Sequence, residues 1–223
     1  MRKICVAVDG TAGSGKTFIF KQVAEKVNYE LFDTGLLYRA FTYYCYLNKI
    51  DFNNKQAVID SIKNFKFDIK DKKVLIGDNL DITDKLSTDA VTDNINKITI
   101  IPQVRDHMNV IEREIGYHPG MIELGRDITT VVLPDADLKI YLDAPLEVRA
   151  KRRYEQNLSE GINESYEEVE RKIEQRDHTD KTREFGPLKV ASDAWYLDSA
   201  DYDSPEILVD KIVERIKKIE KEV

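Results

Sequence analysis

The sequence has little that would support metal, redox, membrane or polyanion chemistry. It has two cysteines, Cys5 and Cys45. Their spacing suits neither a zinc site nor a redox pair, and each sits among apolar neighbours where a thiol packs as core. The three histidines, His107, His118 and His178, are scattered and include no H-x-x-x-H pair, which argues against zinc. No run approaches the ~18 apolar residues that span a bilayer. The N-terminal apolar run, Ile4 to Val8, is too short for the core of a signal peptide, and no small-residue cleavage site follows it. Positive charge is outnumbered, 34 Lys and Arg against 41 Asp and Glu, for a net charge of −7. Bulk attraction to nucleic acid or an anionic membrane is therefore excluded, and an anionic ligand would need a local cluster of Lys and Arg. There is no internal repeat and no low-complexity tail. These absences leave a soluble, cytoplasmic protein as the expectation.

What is present is an ordinary globular composition, 42% hydrophobic and 34% charged over 223 residues, enough for one domain with an insertion. Ile4–Val8 reads as a strand buried on both faces of a parallel sheet. A glycine-rich turn follows, then a helix over Phe18–Val27. Glu30–Phe32 is a short second strand ending at Asp33, and Thr34 is placed to cap a helix with Leu37, Phe41, Tyr44 and Cys45 at helical spacing. Strand, helix, strand, helix in that order predicts an α/β fold with a parallel sheet. The pattern then changes. Phe65, Phe67 and Ile69 alternate with polar residues, and Val74-Leu75-Ile76 and Leu80-Asp81-Ile82 flank the turn Gly77-Asp78-Asn79. That combination predicts a small antiparallel sheet, inserted over roughly residues 60–95. Helical period returns from Pro102 to Ile115. Met121–Leu124, Leu138–Leu142 and Trp195–Leu197 read as strands. Pro145–Leu158, Tyr166–Asp177 and Ser204 onwards read as helices, the last with Pro205 in its first turn. Of the eleven tyrosines, Tyr43, Tyr44 and Tyr46 have helical spacing beside Phe41, which predicts packing rather than a stacking surface for bases.

The chemistry begins at Gly10-Thr11-Ala12-Gly13-Ser14-Gly15-Lys16-Thr17, which fits the phosphate-binding pattern G-x-x-x-x-G-K-[ST]. The fixed positions coincide by chance in only about 1% of chains this long. Here they also stand in the required context, after an apolar strand and before a helix. Glycines let backbone N–H groups curl around phosphate oxygens, and the helix N-terminus adds positive dipole. Lys16 supplies a mobile cation for the β- and γ-phosphates, and the Thr17 hydroxyl can ligate Mg²⁺. The pattern identifies a nucleoside triphosphate site without naming the acceptor.

The acceptor side rests on a resemblance. Leu31-Phe32-Asp33-Thr34-Gly35-Leu36-Leu37-Tyr38-Arg39 resembles the D-[ST]-G-x-x-Y-R acceptor-binding segment of the bacterial cytidylate kinases. Four further segments are similar to that family, in the same order. They are Pro102–Arg105, Gly125-Arg126-Asp127 continuing through Thr130–Ala136, Arg149–Arg153, and Arg176–Arg183. The resemblance runs from the N-terminus to about residue 200. It implies a single nucleoside monophosphate kinase domain, with a core of 1–59, 96–154 and 186–223, an acceptor-binding insertion at about 60–95 and a mobile lid at about 155–185. It implies transfer of the γ-phosphoryl of ATP to CMP and dCMP by a monomer using Mg²⁺, with no nucleic-acid or membrane partner.

Residue by residue, the resemblance places Asp33, Thr34 and Arg39 beside the acceptor, with Arg39 and Arg126 on its phosphate. Arg105 and Asp127 read the cytosine edge, a guanidinium donating to O2/N3 and a carboxylate accepting from the exocyclic amine. Arg176 and Asp180 reach the sugar hydroxyls, Arg183 reaches phosphate, and Arg152 reaches ATP. Lys16, Arg126, Arg176 and Arg183 form the catalytic set, because phosphoryl transfer needs aligned positive charge rather than a protein nucleophile. Three positions depart from the family pattern. Asn96 stands where the family usually has Ser, and it carries over as a pyrimidine contact. Leu124 stands where an acid precedes Gly-Arg-Asp, with Glu123 one residue earlier. Leu86-Ser87-Thr88 stands where Ile-Arg-Thr is common. The first departure keeps a UMP or other monophosphate kinase open, and the second keeps open a nucleotide-binding regulator without turnover.

Overall fold

The computed structural model describes residues 2–222. Strand β1 (Val6–Gly10) leads through the glycine-rich turn into helix α1 (Lys16–Val27), then β2 (Glu30–Asp33) and α2 (Thr34–Leu47). After these come α3 (Lys55–Ser61), the strands β3 (Phe67–Lys70), β4 (Lys73–Ile76) and β5 (Leu80–Asp81), two short helices α4 (Asp89–Thr92) and α5 (Ile95–Thr99), and α6 (Pro102–Gly116). The remainder is β6 (Met121–Leu124), a π-helical turn at Ile128–Val132, β7 (Leu138–Asp143), α7 (Leu146–Ser159), α8 (Tyr166–Thr182), β8 (Trp195–Asp198) and α9 (Pro205–Glu222).

The chain divides into two compact units, Met1–Phe32 with Ile115–Val223, and Asp33–Glu114. The first is built on a five-stranded sheet in the order β2-β6-β1-β7-β8, in which β1 pairs in parallel with β6 and β7, and β7 with β8. Every residue of β1 is buried, as its unbroken apolar run requires. Ile4, Val6, Val8, Leu124, Ile140 and Leu142 pack with Ile19, Phe20 and Val23 of α1 and Leu208, Ile212 and Ile216 of α9, while Cys5 and Ala7 pack with Ile128, Val132 and Leu133. Helix α8 opens with a reciprocal cap. The Ser165 hydroxyl accepts from the Glu168 amide, and the Glu168 carboxylate accepts from the Ser165 amide.

The second unit holds the antiparallel sheet β3-β4-β5, registered Phe67↔Ile76 and Leu75↔Asp81. Val74, Leu75 and Ile76 of β4 are all buried, so the sheet is covered on both faces along that strand. Phe65 packs edge-on against Phe41 of α2 with centroids 5.0 Å apart. The α/β fold with its antiparallel insertion thus follows the alternation read from the sequence.

Two local expectations change. Helix α2 is capped by Asp33, whose carboxylate accepts from the Gly35 amide at 3.0 Å, while Thr34 is the first helical residue. The carboxylate one residue earlier is the one aimed back along the opening turn. Of the tyrosines, Tyr44 packs on Phe41 and Phe65, but Tyr46 is exposed and pairs only sideways with Tyr43. Both thiols are buried and unbridged, with burial pushing Cys5 up to about 12 and Cys45 to about 11. Among the described residues, no helix is long and apolar enough to cross a membrane.

Candidate active site

The glycine-rich turn joins the sheet to α1 with very little space. At Gly10 the backbone passes so close to β7 that an added Cβ would lie 1.9 Å from the Leu142 carbonyl oxygen. Gly15 precedes α1 at φ 89°, a left-handed conformation that glycine adopts at no steric cost, and no side chain caps the helix there. A helix opening this way points its positive dipole end at the loop, the arrangement that makes helix N-termini anion sites. Lys16 is buried and donates its Nζ to Gly10 O (2.7 Å), Thr11 O (2.9 Å) and Ser14 Oγ (3.4 Å). Its ammonium is thus held on the loop's own carbonyls, within reach of any phosphate the loop takes up. Thr17 is exposed at the start of α1.

Side chains from distant strands and helices brace this loop. Thr11 Oγ1 donates to Asp143 Oδ1 at 2.6 Å, and Asp143 also accepts from Tyr196 OH. Ala12 is bonded on both its backbone groups by Asp177 and Arg149. Arg152 donates to Ser199 Oγ at 2.8 Å, and Ser199 Oγ in turn donates to Ser14 O at 3.3 Å. Arg152 therefore reaches the loop through a serine, while Arg153 is exposed and bonds Gln156.

The first unit also assembles four of the expected acceptor residues into one ion-pair network. Arg126 Nε meets Asp180 Oδ2 at 2.9 Å, Arg183 Nη1 meets Asp180 Oδ1 at 3.4 Å, and Arg183 Nη2 meets Asp127 Oδ1 at 3.2 Å. Arg183 Nε further donates to Gly186 O. Arg176, exposed on α8, joins electrostatically. Burial pushes the Asp180 carboxyl upward, but the attraction of Arg126, Arg176 and Arg183 outweighs it and holds the group below its ordinary value. Asp127 and Asp180 thus partner arginines. Three cationic side chains are gathered around two carboxylates, the local concentration of positive charge that a chain of net charge −7 needs in order to hold an anion.

In the second unit, Asp33 caps α2, Thr34 is buried behind it, and Arg39 donates to Leu86 O at 2.9 Å. Arg105 of α6 is 4% exposed, with its guanidinium carbon 5.6 Å from the centre of the Tyr38 ring. Asn96 lies exposed on α5.

Two carboxylates complete the picture. The β1–β6 register runs Val6↔Ile122, Ala7↔Glu123, Val8↔Leu124 without a bulge. Glu123 is accordingly buried on the side of Cys5 and Gly116, and Leu124 packs in the α1–α9 core. No bulge re-aims the acid. Asp9 was missed from the sequence. It is fully buried, accepting from Ile128 N and Thr129 N at 2.8 Å each and from Thr129 Oγ1 at 2.6 Å. It ties the strand entering the phosphate loop to the backbone following Arg126 and Asp127. An acid closing an otherwise apolar buried strand is the signal that could have found it.

Comparison with known proteins places these features in a family. The family description "Cytidylate kinase" matches residues 6–218. The chain belongs to the cytidylate kinase family. Cytidylate kinases from Mycoplasma capricolum and Mesoplasma florum are 46% and 44% identical to it, over 99% and 98% of both chains in each case. That of Fusobacterium nucleatum is 36% identical over 97% of this chain and 100% of its own. Among solved structures, an uncharacterised protein from Eubacterium ventriosum overlays with a TM-score of 0.55 at 13% identity, covering 96% of this chain and 99% of its own, a likeness of fold alone.

Proposed function

We propose that this chain transfers the γ-phosphoryl group of ATP to CMP, and to dCMP as well, giving the diphosphate and ADP. The family match across residues 6–218 supports the reaction, because it takes in the phosphate loop, Arg126 and the Arg176–Arg183 segment together. In this reading the glycine-rich turn cradles the ATP phosphates, and Lys16 moves from the loop carbonyls onto the β- and γ-phosphates. Arg126, Arg176 and Arg183 neutralise the charge that gathers as two phosphate groups approach, with no protein nucleophile involved. Arg39 shares the acceptor phosphate, Asp33 and Thr34 border it, Arg176 and Asp180 serve the sugar, and Arg105, Asp127 and Asn96 read the base.

The exposed Thr17 hydroxyl and the substrate's phosphate oxygens are hard donors that fit Mg²⁺. When bound, that ion would neutralise charge on the β- and γ-phosphates. Residues 155–185 form a lid that closes to exclude water, and Arg152 contacts ATP through the Ser199 side of the loop. The protein works as a cytoplasmic monomer without a nucleic-acid or membrane partner, in keeping with its net charge of −7.

The test is ADP release with Mg·ATP against CMP, dCMP, UMP, AMP and GMP at one concentration. CMP should lead UMP by at least ~10-fold, about 1.4 kcal/mol of discrimination in the transition state. UMP equal to CMP would shift the base reading onto Asn96. Silence on every acceptor with ATP still bound would make the chain a regulator.

A further inference from the structure

The phosphate loop is held at Ala12 by a closed cycle of bonds. The Ala12 amide donates to Asp177 Oδ1 at 2.9 Å. Arg149 Nη1 donates to the Ala12 carbonyl at 2.8 Å and to Asp177 Oδ2 at 2.6 Å, and Arg149 Nε is anchored on Ala144 O at 2.7 Å. Both charged side chains are almost fully buried, 5% exposed for Arg149 and 6% for Asp177. The methyl of Ala12 rests in a small apolar cluster of Ala150, Val169 and Ile173. A buried ion pair is a weak source of net stability, because desolvation offsets most of its attraction. Here each partner also bonds the same loop residue, Asp177 at the Ala12 amide and Arg149 at the Ala12 carbonyl, and that fixes an orientation.

The orientation matters because of where Asp177 sits. It lies on α8 between Arg176 and Asp180, and Asp180, one turn further on, bonds Arg126 and Arg183. The same helix therefore holds the phosphate loop at one point and the arginine cluster at the next. We propose that Asp177 and Arg149 are a positioning pair that fixes the phosphate loop against α8, and so sets the distance from the donor phosphates to Arg126, Arg176 and Arg183. The Ala12 amide is committed to Asp177, while Gly13 beside it is exposed. In-line transfer depends on alignment, and displacements near 1 Å can cost ~10²-fold in rate.

This inference rests on the loop binding ATP, so ATP binding by the unaltered chain is measured first. If ATP does not bind, the loop reading fails, independently of the pair. Given ATP binding, Asp177→Asn keeps an acceptor for the Ala12 amide but removes the charge facing Arg149. It should lower kcat by at least ~10-fold and raise KM for ATP, with KM for CMP within about twofold of wild type. The control is Ile216→Ala in the α9 core, chosen to lose comparable thermal stability; it should keep its kcat. A folded Asp177→Asn with wild-type kcat, or an equal kinetic loss in Ile216→Ala, overturns the proposal. Arg149→Lys, which keeps the charge and loses the fork, should show the same split if Asp177→Asn does not fold. The unaltered chain gives an answer that needs no variant. By NMR, the Ala12 amide should exchange with solvent at least ~10-fold more slowly than that of Gly13 without nucleotide, and equal exchange overturns the pair.

Discussion

Two aspartates, Asp9 and Asp180, show how environment, rather than residue type, sets chemical behaviour. Burial pushes Asp9 up to about 6, and the nearby Asp127 adds to the shift, against hydrogen bonds from Thr129 and Ile128 that favour the charged form. Asp180 is partly buried, yet Arg126, Arg176 and Arg183 hold it below its ordinary value. Opposite effects on stability follow by linkage. For Asp9 the folded value lies above the unfolded value near 3.8, so its contribution is complete below that value and is lost as pH rises through about 6. For Asp180 the folded value lies below the unfolded one, so its contribution is present above the ordinary carboxylate range and is lost as pH falls through the lowered value. Melting temperatures between about pH 2 and 7 should therefore separate two variants. The deficit of Asp180→Asn relative to wild type shrinks in acid, whereas that of Asp9→Asn grows. Parallel curves for the two would refute the assigned shifts.

Among the elements, α8 does the most. Polar and charged residues fill most of its surface, and Val169, Ile173 and Asp177 form its buried stripe. With so narrow an apolar face, the start of the helix depends on the reciprocal Ser165–Glu168 cap, which satisfies amides that would otherwise lack partners. Ser165→Ala should destabilise the chain by about 1 kcal/mol in urea unfolding. The effect should exceed that of Thr179→Ala near the far end of the helix, where the hydroxyl bonds Gln175 O within the same helix. Equal losses would mean that the cap contributes nothing particular. Helix α2 shows the same dependence on its first turn, with Asp33 as the cap.

For the whole molecule, a chain of net charge −7 that takes up ATP and CMP needs cations concentrated locally. Cations are gathered at Lys16 on the phosphate loop and in the Arg126–Asp180–Arg183–Asp127 network, and the proposed function uses both. ATP and CMP should each raise the melting temperature. A bisubstrate dinucleotide that links the two through phosphates should raise it further at equal concentration, since stabilisation grows as RT ln(1 + [L]/Kd). A dinucleotide shift no larger than that of ATP alone would mean that the chain does not hold donor and acceptor together.

Contiguous features were legible in the sequence. The phosphate loop is eight adjacent residues whose chemistry is carried by order, and the strand–helix alternation and the β3–β5 hairpins announce themselves by period and turn residues. The ordered family segments likewise picked out Arg126, Asp127, Arg176, Asp180 and Arg183. What the sequence could not show was which of these groups meet. Asp177 reaches Ala12 across 165 positions, Asp9 reaches Thr129 across 120, and Arg183 reaches Asp127 across 56. It could not distinguish Asp33 from Thr34 as the cap, or anticipate that Tyr46 faces solvent. Periodicity and motifs record local backbone preference, which each residue carries with it. The partners of a buried charge are decided only when strands and helices pack, because the cost of burying that charge is met by whichever groups the fold brings within hydrogen-bonding distance.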